Sequence, residues 1–440
     1  MARCSFVPPY LISRLSQLPD DDPIGRAGRT TRAIDDAIRE RRRRTASGAD
    51  GIPAPPVEAR WTVYSAGHTT KQPGSEVRAD GDDASGDDAV DELYDGLAAT
   101  WDLLADVFSY PAVDGQGTPV TATAHHGDGY ANAFWDGRQL VFGDGDGVVF
   151  GRFTRPIDVL AHEYAHGITQ YTAALAYEGQ PGSLNESISD VFGAMVKQRV
   201  LGQTVDEADW LVGEGVFLPG VQGRALRSMK EPGTAYDDPR LGKDPQVASM
   251  RRYVDTTDDG GGVHINSGIP NRAFCLAATS LGGRSWEGAG AIWWAALVGG
   301  HVGRKTDFVG FADATLEAAG RLYGDDSAEC GAVRSAWAEV GVLAPDPDRP
   351  SDAGGVVYVR RSGGFAGLIT EREINLASDP AGAEAAALLR RVNFDRLSKT
   401  PPQPDRFVYL VRTAGREVRL NEQDVPPELG QLIDLILGRD

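Results

Sequence analysis

Two short runs constrain this chain more than anything else in it: His162-Glu163-Tyr164-Ala165-His166, and a second run carrying Glu186, with nineteen residues between His166 and Glu186. On a helix, positions i and i+4 share one face, so His162 and His166 present two imidazoles to one point. Glu186, on a second predicted helix, adds an anionic third ligand. Two histidines and one glutamate suit tetrahedral zinc with the fourth position left for water, the pattern of a catalytic rather than a structural site. Glu163 lies beside the first ligand, placed as general base for the attacking water. By itself an H-E-x-x-H run also fits two surface histidines on a charged helix. Val159, Leu160, Ala161, Tyr164 and Ala165 argue against that, because they make the helix apolar and buried, where unliganded polar groups are costly.

The run Gly182-Ser183-Leu184-Asn185-Glu186-Ser187-Ile188-Ser189-Asp190 resembles the G-x-x-N-E-x-x-S-D signature of the thermolysin family of metallopeptidases. The spacing from His166 matches that family. Zinc aminopeptidases with a similar core use a spacing one residue shorter. The resemblance implies an α+β fold of two lobes, a β-rich N-terminal lobe and an α-helical C-terminal lobe, with zinc at the floor of the cleft between them. It implies that Asp190 accepts a hydrogen bond from His162 and fixes its tautomer. Asp259-Gly260-Gly261-Gly262-Val263-His264 resembles the segment whose histidine stabilises the transition state. His264, oriented by Asp259, is the implied oxyanion donor, and Tyr177 the second. The three glycines allow a tight backbone turn.

The same resemblance assigns substrate contacts. Arg227 is implied to grip a substrate carbonyl. Asn132 and Ala133, in Asn132-Ala133-Phe134-Trp135, match an edge strand that pairs with an extended peptide; Trp135 itself reads as a core aromatic. Phe150, Phe153, Val159, Val212 and Leu226 align with the apolar pocket for the side chain after the cleaved bond, which implies cleavage on the amino side of bulky hydrophobic residues. Asp158, Asp209 and Glu214 fall at calcium-ligand positions. Lys197 and Leu211 stand where acidic ligands are expected, so a Ca2+ site should be weakened or missing, with the ammonium replacing an ion.

At 440 residues, with 41% hydrophobic residues, the chain is long enough for two to four domains with real cores. A net charge of −19, concentrated in the middle of the chain, disfavours nucleic acid as a partner. Three cysteines, Cys4, Cys275 and Cys330, make no disulfide framework. The start lacks a secretory signal, and the longest apolar stretch, Ala291 to Leu297, is far too short to cross a bilayer. The expectation is a cytoplasmic chain, or one exported without a signal peptide, that acts on peptides or proteins and not on membranes.

Residues 1–50 read as a separate segment. Pro8-Pro9, bracketed by Phe6, Tyr10 and Leu11, is poor linker composition, and Thr31 to Arg44 reads as a basic helix. This resembles the short propeptide of protealysin-like members of the family, which would lie over the cleft and block it. A thiolate at Cys4 would be a good ligand for the open zinc position. Residues 46–56 look like a processing linker. Residues 51–166 should form the N-terminal lobe with the zinc helix, mostly sheet from Trp61 to Phe153 but with a helix over Asp91 to Phe108. The acidic run Asp80 to Asp91 reads as a solvated loop. Asp144-Gly145-Asp146-Gly147 looks calcium-like, but resembles a family turn that needs no ion. Residues 167–343 should be the helical lobe.

A linker at 344–354 leads to a small α/β unit over 355–440. Its elements are a strand from Val356, a helix over Ala381 to Leu397, a hairpin through Ala414-Gly415 and a closing helix to Leu437. With the loop Ser362-Gly363-Gly364-Phe365-Ala366-Gly367, it resembles emfourin, a small protein inhibitor of protealysin-like peptidases. Phe365 would then enter the cleft near the apolar pocket; otherwise the unit is an accessory domain. Together these features predict a zinc endopeptidase made as a latent precursor, restrained at both ends by its own segments. The alternative is a non-catalytic or permanently autoinhibited binding protein. The zinc spacing disfavours an exopeptidase.

Overall fold

The computed structural model describes residues 5–45, 59–344, 356–363, 368–376, 379–389, 392, 406–413 and 416–438. Cys4 and Phe365, both expected to make inhibitory contacts, lie outside these residues. The chain divides into two compact units, Met1–Leu343 and Ala344–Asp440.

The first unit opens with two helices, α1 (Pro9–Ser16) and α2 (Pro23–Thr45). The sequence led us to expect an apolar strip and a helix starting at Thr31. Instead Pro9 occupies the first turn of α1, where no backbone N–H is needed. Pro23 starts α2, with Asp22 Oδ1 accepting the Ile24 amide at 2.8 Å. α1 and α2 pack on each other and on the body: Thr31 Oγ1 accepts the Ala131 amide, and Tyr130 Oη donates to Asp35 Oδ1 at 2.7 Å.

The N-terminal lobe holds β1 (Trp61–Ser65), β2 (Ser75–Ala79), α3 (Asp88–Phe108), β3 (Val120–Ala124), β4 (Ala133–Trp135) and β5 (Leu140–Phe142). The strands form one sheet in the order β2-β1-β3-β5-β4, with β1, β3 and β5 mutually parallel and β2 and β4 as antiparallel edges. α3 begins three residues before the expected start, where Asp87 caps the amides of Ala89 and Val90.

α4 (Ile157–Tyr171) carries both candidate histidine ligands and packs on α5 (Gly179–Leu201), which carries Glu186. Both helices are buried nearly all round, as helices at the centre of a large core must be. Gly193 sets their closeness: a Cβ there would meet the Asp158 carbonyl oxygen at 2.7 Å. Two short ribbons follow, β6 (Leu211–Val212) with β7 (Arg227–Ser228), and β8 (Asp237–Asp238) with β9 (Gly242–Lys243). The rest is helical: α6 (Asp259–Asn266), α7 (Gly268–Leu281), α8 (Ala289–Val298), α9 (Phe308–Tyr323) and α10 (Ala328–Glu339). One hydrophobic core runs through both lobes and takes in Phe6, Val7 and Leu11 from the N-terminal segment.

The second unit is a four-stranded antiparallel sheet in the order β11-β10-β12-β13, built from β10 (Val356–Gly363), β11 (Leu368–Asn375), β12 (Phe407–Thr413) and β13 (Arg416–Asn421). It carries α11 (Gly382–Leu389) and α12 (Pro427–Leu437). β11 is a strand the sequence reading missed. The core is Val357, Val359, Ile374, Val411 and Leu420 from the sheet against Leu429, Leu432, Ile433 and Ile436 from α12.

Candidate active site

One donor atom each from His162, His166 and Glu186 lies within 4.8 Å of the others, and all three residues are buried. His162 Nδ1 donates to Asp190 Oδ1 at 2.8 Å, and His166 Nδ1 donates to Asn185 Oδ1 at 2.8 Å. With both Nδ1 protons committed, each Nε2 is the atom that can offer a lone pair to a metal. These two atoms face each other across 3.0 Å, with a Glu186 oxygen 3.5 Å from each. Imidazole nitrogens and a carboxylate converging in a buried space need a cation, a proton or a metal ion, among them. The donor set therefore fits zinc.

Without a metal, a proton on His162 takes that place. Burial disfavours charge on His162, yet Asp190 and Glu186 lift it to about 9; burial first, with the His162 and His264 charges, takes His166 down to about 4 against the pull of Glu186. Glu186 is held well below the usual carboxylate range, against its burial, by His264 and His166.

Glu163 Oε2 accepts the Trp135 amide at 2.7 Å, and burial pushes the carboxyl up to about 7 against the pull of His162. The Trp135 ring is core, but its backbone holds this carboxylate. Asp259 accepts both from His264 Nδ1 at 2.7 Å and from the His264 amide at 2.9 Å. This fold-back requires Gly260, Gly261 and Gly262 at φ of 62°, 89° and 73°, a left-handed run that suits glycine. Burial opposes charge on His264, but Asp259 and Glu186 raise it to about 9. Tyr177 Oη hydrogen-bonds Glu186 Oε1 and lies 3.2 Å from His264 Nε2. Asp190 also receives the Arg227 guanidinium and Asn271 Nδ2, so one carboxylate ties a candidate ligand to a candidate substrate contact.

The N-terminal segment occupies this cleft. The Phe6 amide donates to the Ala133 carbonyl at 3.0 Å, and the Val7 amide to Asn132 Oδ1 at 2.8 Å. Arg227 Nη1 donates to the Phe6 carbonyl at 3.0 Å, and the Ser5 carbonyl accepts from His264 Nε2 at 3.1 Å. The Phe6 ring stands edge-on to His162 at 5.2 Å and to Phe153 at 6.4 Å. Phe150, Val159, Val212 and Leu226 are buried in the same cluster. Gly213, absent from the sequence expectations, closes the pocket: a Cβ there would come within 2.9 Å of the Phe6 ring. Pro8 caps α1 and Pro9 starts it, leading the chain away with Tyr10 half-buried.

At the candidate calcium positions, Lys197 Nζ contacts Asp209 at 2.9 Å, Glu214 at 3.0 Å and the Leu211 carbonyl at 3.4 Å. Asp158, behind them, accepts the Gly213 amide, and burial raises it to about 6 against the Lys197 charge. The Lys197 ammonium thus lies among the oxygens of Asp209, Glu214 and Leu211.

Residues 57–170 match the model of the thermolysin metallopeptidase catalytic domain, residues 173–342 that of its α-helical domain, and residues 359–437 that of emfourin. An extracellular metalloprotease of Pectobacterium carotovorum subsp. carotovorum is 45% identical over 339 residues, covering 77% of this chain and 96% of that one. Protease PrtS of a Photorhabdus strain is 47% identical over 290 residues, covering 66% of this chain and 78% of that protein. The solved precursor of protealysin, a metalloproteinase from Serratia proteamaculans, is 46% identical with a TM-score of 0.69, covering 77% of this chain and all of that one. The chain belongs to the thermolysin family of zinc metallopeptidases, as a protealysin-like metalloendopeptidase with an emfourin domain fused at its C-terminal end.

Proposed function

We propose that this protein is a latent endopeptidase, closed by residues 5–7 and selective for bonds on the amino side of bulky hydrophobic residues. The observation that carries this reading is the pose of Ser5–Val7. Its backbone pairs with Ala133, Asn132 and Arg227 as an added strand, and Phe6 fills the pocket next to His162. The Ser5 carbonyl meets His264, so the Ser5–Phe6 peptide stands where a scissile bond would stand.

His162, His166 and Glu186 would hold the zinc, which when bound supplies Lewis-acid polarisation of the scissile carbonyl and lowers the pKa of water. Glu163, fixed by the Trp135 amide, takes the proton of the attacking water and passes it to the leaving amine. His264 and Tyr177 donate hydrogen bonds to the carbonyl oxygen as it gains charge. Arg227 and Asn132 align the peptide. Asp190 and Asn185 orient the two histidines. Lys197 replaces calcium at Asp209 and Glu214.

The emfourin unit and residues 1–50 are proposed as restraints, and the extracellular relatives support export. Among the described residues, no helix is long and apolar enough to cross a membrane. The test is peptidase activity of the full chain, of chain lacking residues 1–58, of chain lacking 344–440, and of each with Glu163→Ala. Activity should rise on each deletion and fall by about 100-fold or more with Glu163→Ala. A shortened, folded, zinc-loaded chain without activity would leave the permanently closed binding protein instead.

A further inference from the structure

The parallel strands β1, β3 and β5 lie side by side, and just beyond the C-terminal end of each stands one metal-ligating residue: His68, His125 and Asp144. The carboxyl ends of parallel strands are where an open sheet gathers ligands. The three donor atoms lie within 4.8 Å of one another. His125 Nδ1 is 2.8 Å, and His68 Nδ1 3.3 Å, from the same oxygen, Asp144 Oδ2. The ring centroids of the two histidines are 5.2 Å apart.

Two features show that this arrangement is built. The His68 amide donates to the His125 carbonyl at 2.9 Å, and both residues sit in left-handed conformations, at φ of 60° and 54°. That backbone region is sparsely used by residues with a side chain, and here it sets the two imidazoles side by side. The second feature is Asp87. Its Oδ1 caps α3, which pins the carboxylate, and its Oδ2 lies 3.0 Å from His125 Nε2. A carboxylate on the far nitrogen of a histidine fixes the tautomer and leaves the near nitrogen its lone pair, as in carboxylate–histidine–metal arrangements.

The geometry points to a second metal site in the N-terminal lobe, in which His68 Nδ1, His125 Nδ1 and Asp144 bind a divalent transition cation such as Zn2+. Two imidazole nitrogens and one carboxylate suit zinc, nickel or copper and not calcium. His68 is exposed, so water completes the coordination, and the site is weaker and faster to exchange than the buried His162–His166–Glu186 set. Without a metal, His125 lies between two carboxylates and holds a proton; its pKa is raised, by Asp144 first, against its burial. The metal displaces that proton. The bound cation ties three strand ends into one clamp, next to the turn where Asp146 receives the amides of Val148, Val149 and Phe150.

The test is Zn2+ titration of the full chain, starting from protein that holds one zinc, read by metal analysis and by thermal melting. The wild type should take up a second equivalent, with a further rise in Tm and shifted ring resonances of His68 and His125. His68→Ala and His68→Gln should keep the first zinc while losing the second equivalent and its Tm rise. Ca2+ should not substitute. One zinc per chain in the wild type, or a second equivalent undiminished in both variants, would overturn the proposal.

Discussion

Arg227 holds Phe6 twice: Nη1 donates to its carbonyl at 3.0 Å, and the guanidinium carbon lies 4.5 Å from the centre of its ring. The same guanidinium is anchored on Asp190, which orients His162. A peptide that fills the pocket is thereby bonded to the groups that surround the zinc position.

Phe6→Ala should therefore release the closed state. Phe6 is fully buried, and emptying a buried phenylalanine site costs about 3–5 kcal/mol. Even part of that shifts the open fraction by about tenfold or more. The full-length variant should cleave a peptide with Phe after the scissile bond at least about tenfold faster than wild type. Intact mass, measured before and after the assay, checks that residues 1–58 are still attached.

Asn185 offers a cleaner view of ligand orientation than Asp190, whose loss would also strand Arg227. Asn185 Oδ1 accepts from His166 Nδ1 at 2.8 Å, and Ser189 Oγ stands 3.2 Å from the same nitrogen. Asn185→Ala should weaken zinc binding by roughly 10- to 100-fold. Activity measured against buffered free zinc should be recovered at high zinc.

The two histidine ligands were legible in the sequence because helix geometry puts i and i+4 on one face, whereas Glu186 and the turn from Asp259 to His264 were read chiefly through the resemblance to the family's segments. The N-terminal helices were harder to read. Gly25 and Gly28 look like helix breakers, yet each lies where a Cβ would come within 2.8 Å of α1 or the residues just after it. They are the contact surface between two helices. The Asp22-Pro23 start was a usable signal. β11 was missed because it is an edge strand with a charged run, Glu371-Arg372-Glu373, and only Ile374 of its central residues reaches the core. The amide of Trp135 on Glu163 and the close wall at Gly213 are made by backbone, which no residue type advertises.

Asp238 should govern part of the acid stability. It is buried, receives Arg240 Nη2 at 2.8 Å and accepts the Gln222 and Arg240 amides, and Arg240 above all holds its pKa below the ordinary 3.8. A lowered carboxyl pKa means stability that is fully present above the unfolded value and lost as pH falls through the folded one. Asp238→Asn should cost about 1–3 kcal/mol at neutral pH. In urea melts the gap to wild type should be equal at pH 7 and pH 5 and smaller at pH 3.

Lys197 makes a sharper claim about calcium. Its ammonium is largely buried among Asp209, Glu214 and the Leu211 carbonyl, with Asp158 behind them. If it replaces a dication, the wild type should keep its Tm in a calcium-selective chelator that leaves zinc in place. Lys197→Ala would leave Asp209 and Glu214 facing each other without their cation, and breaking such a partly buried pair should cost about 1–4 kcal/mol. The vacated space and the oxygens around it suit Ca2+, which takes carboxylate and carbonyl ligands. Millimolar Ca2+ should therefore raise the Tm of Lys197→Ala and leave the wild type unmoved. A wild type that loses stability with calcium alone removed would show that a dication still binds there and that the ion pair is not its replacement.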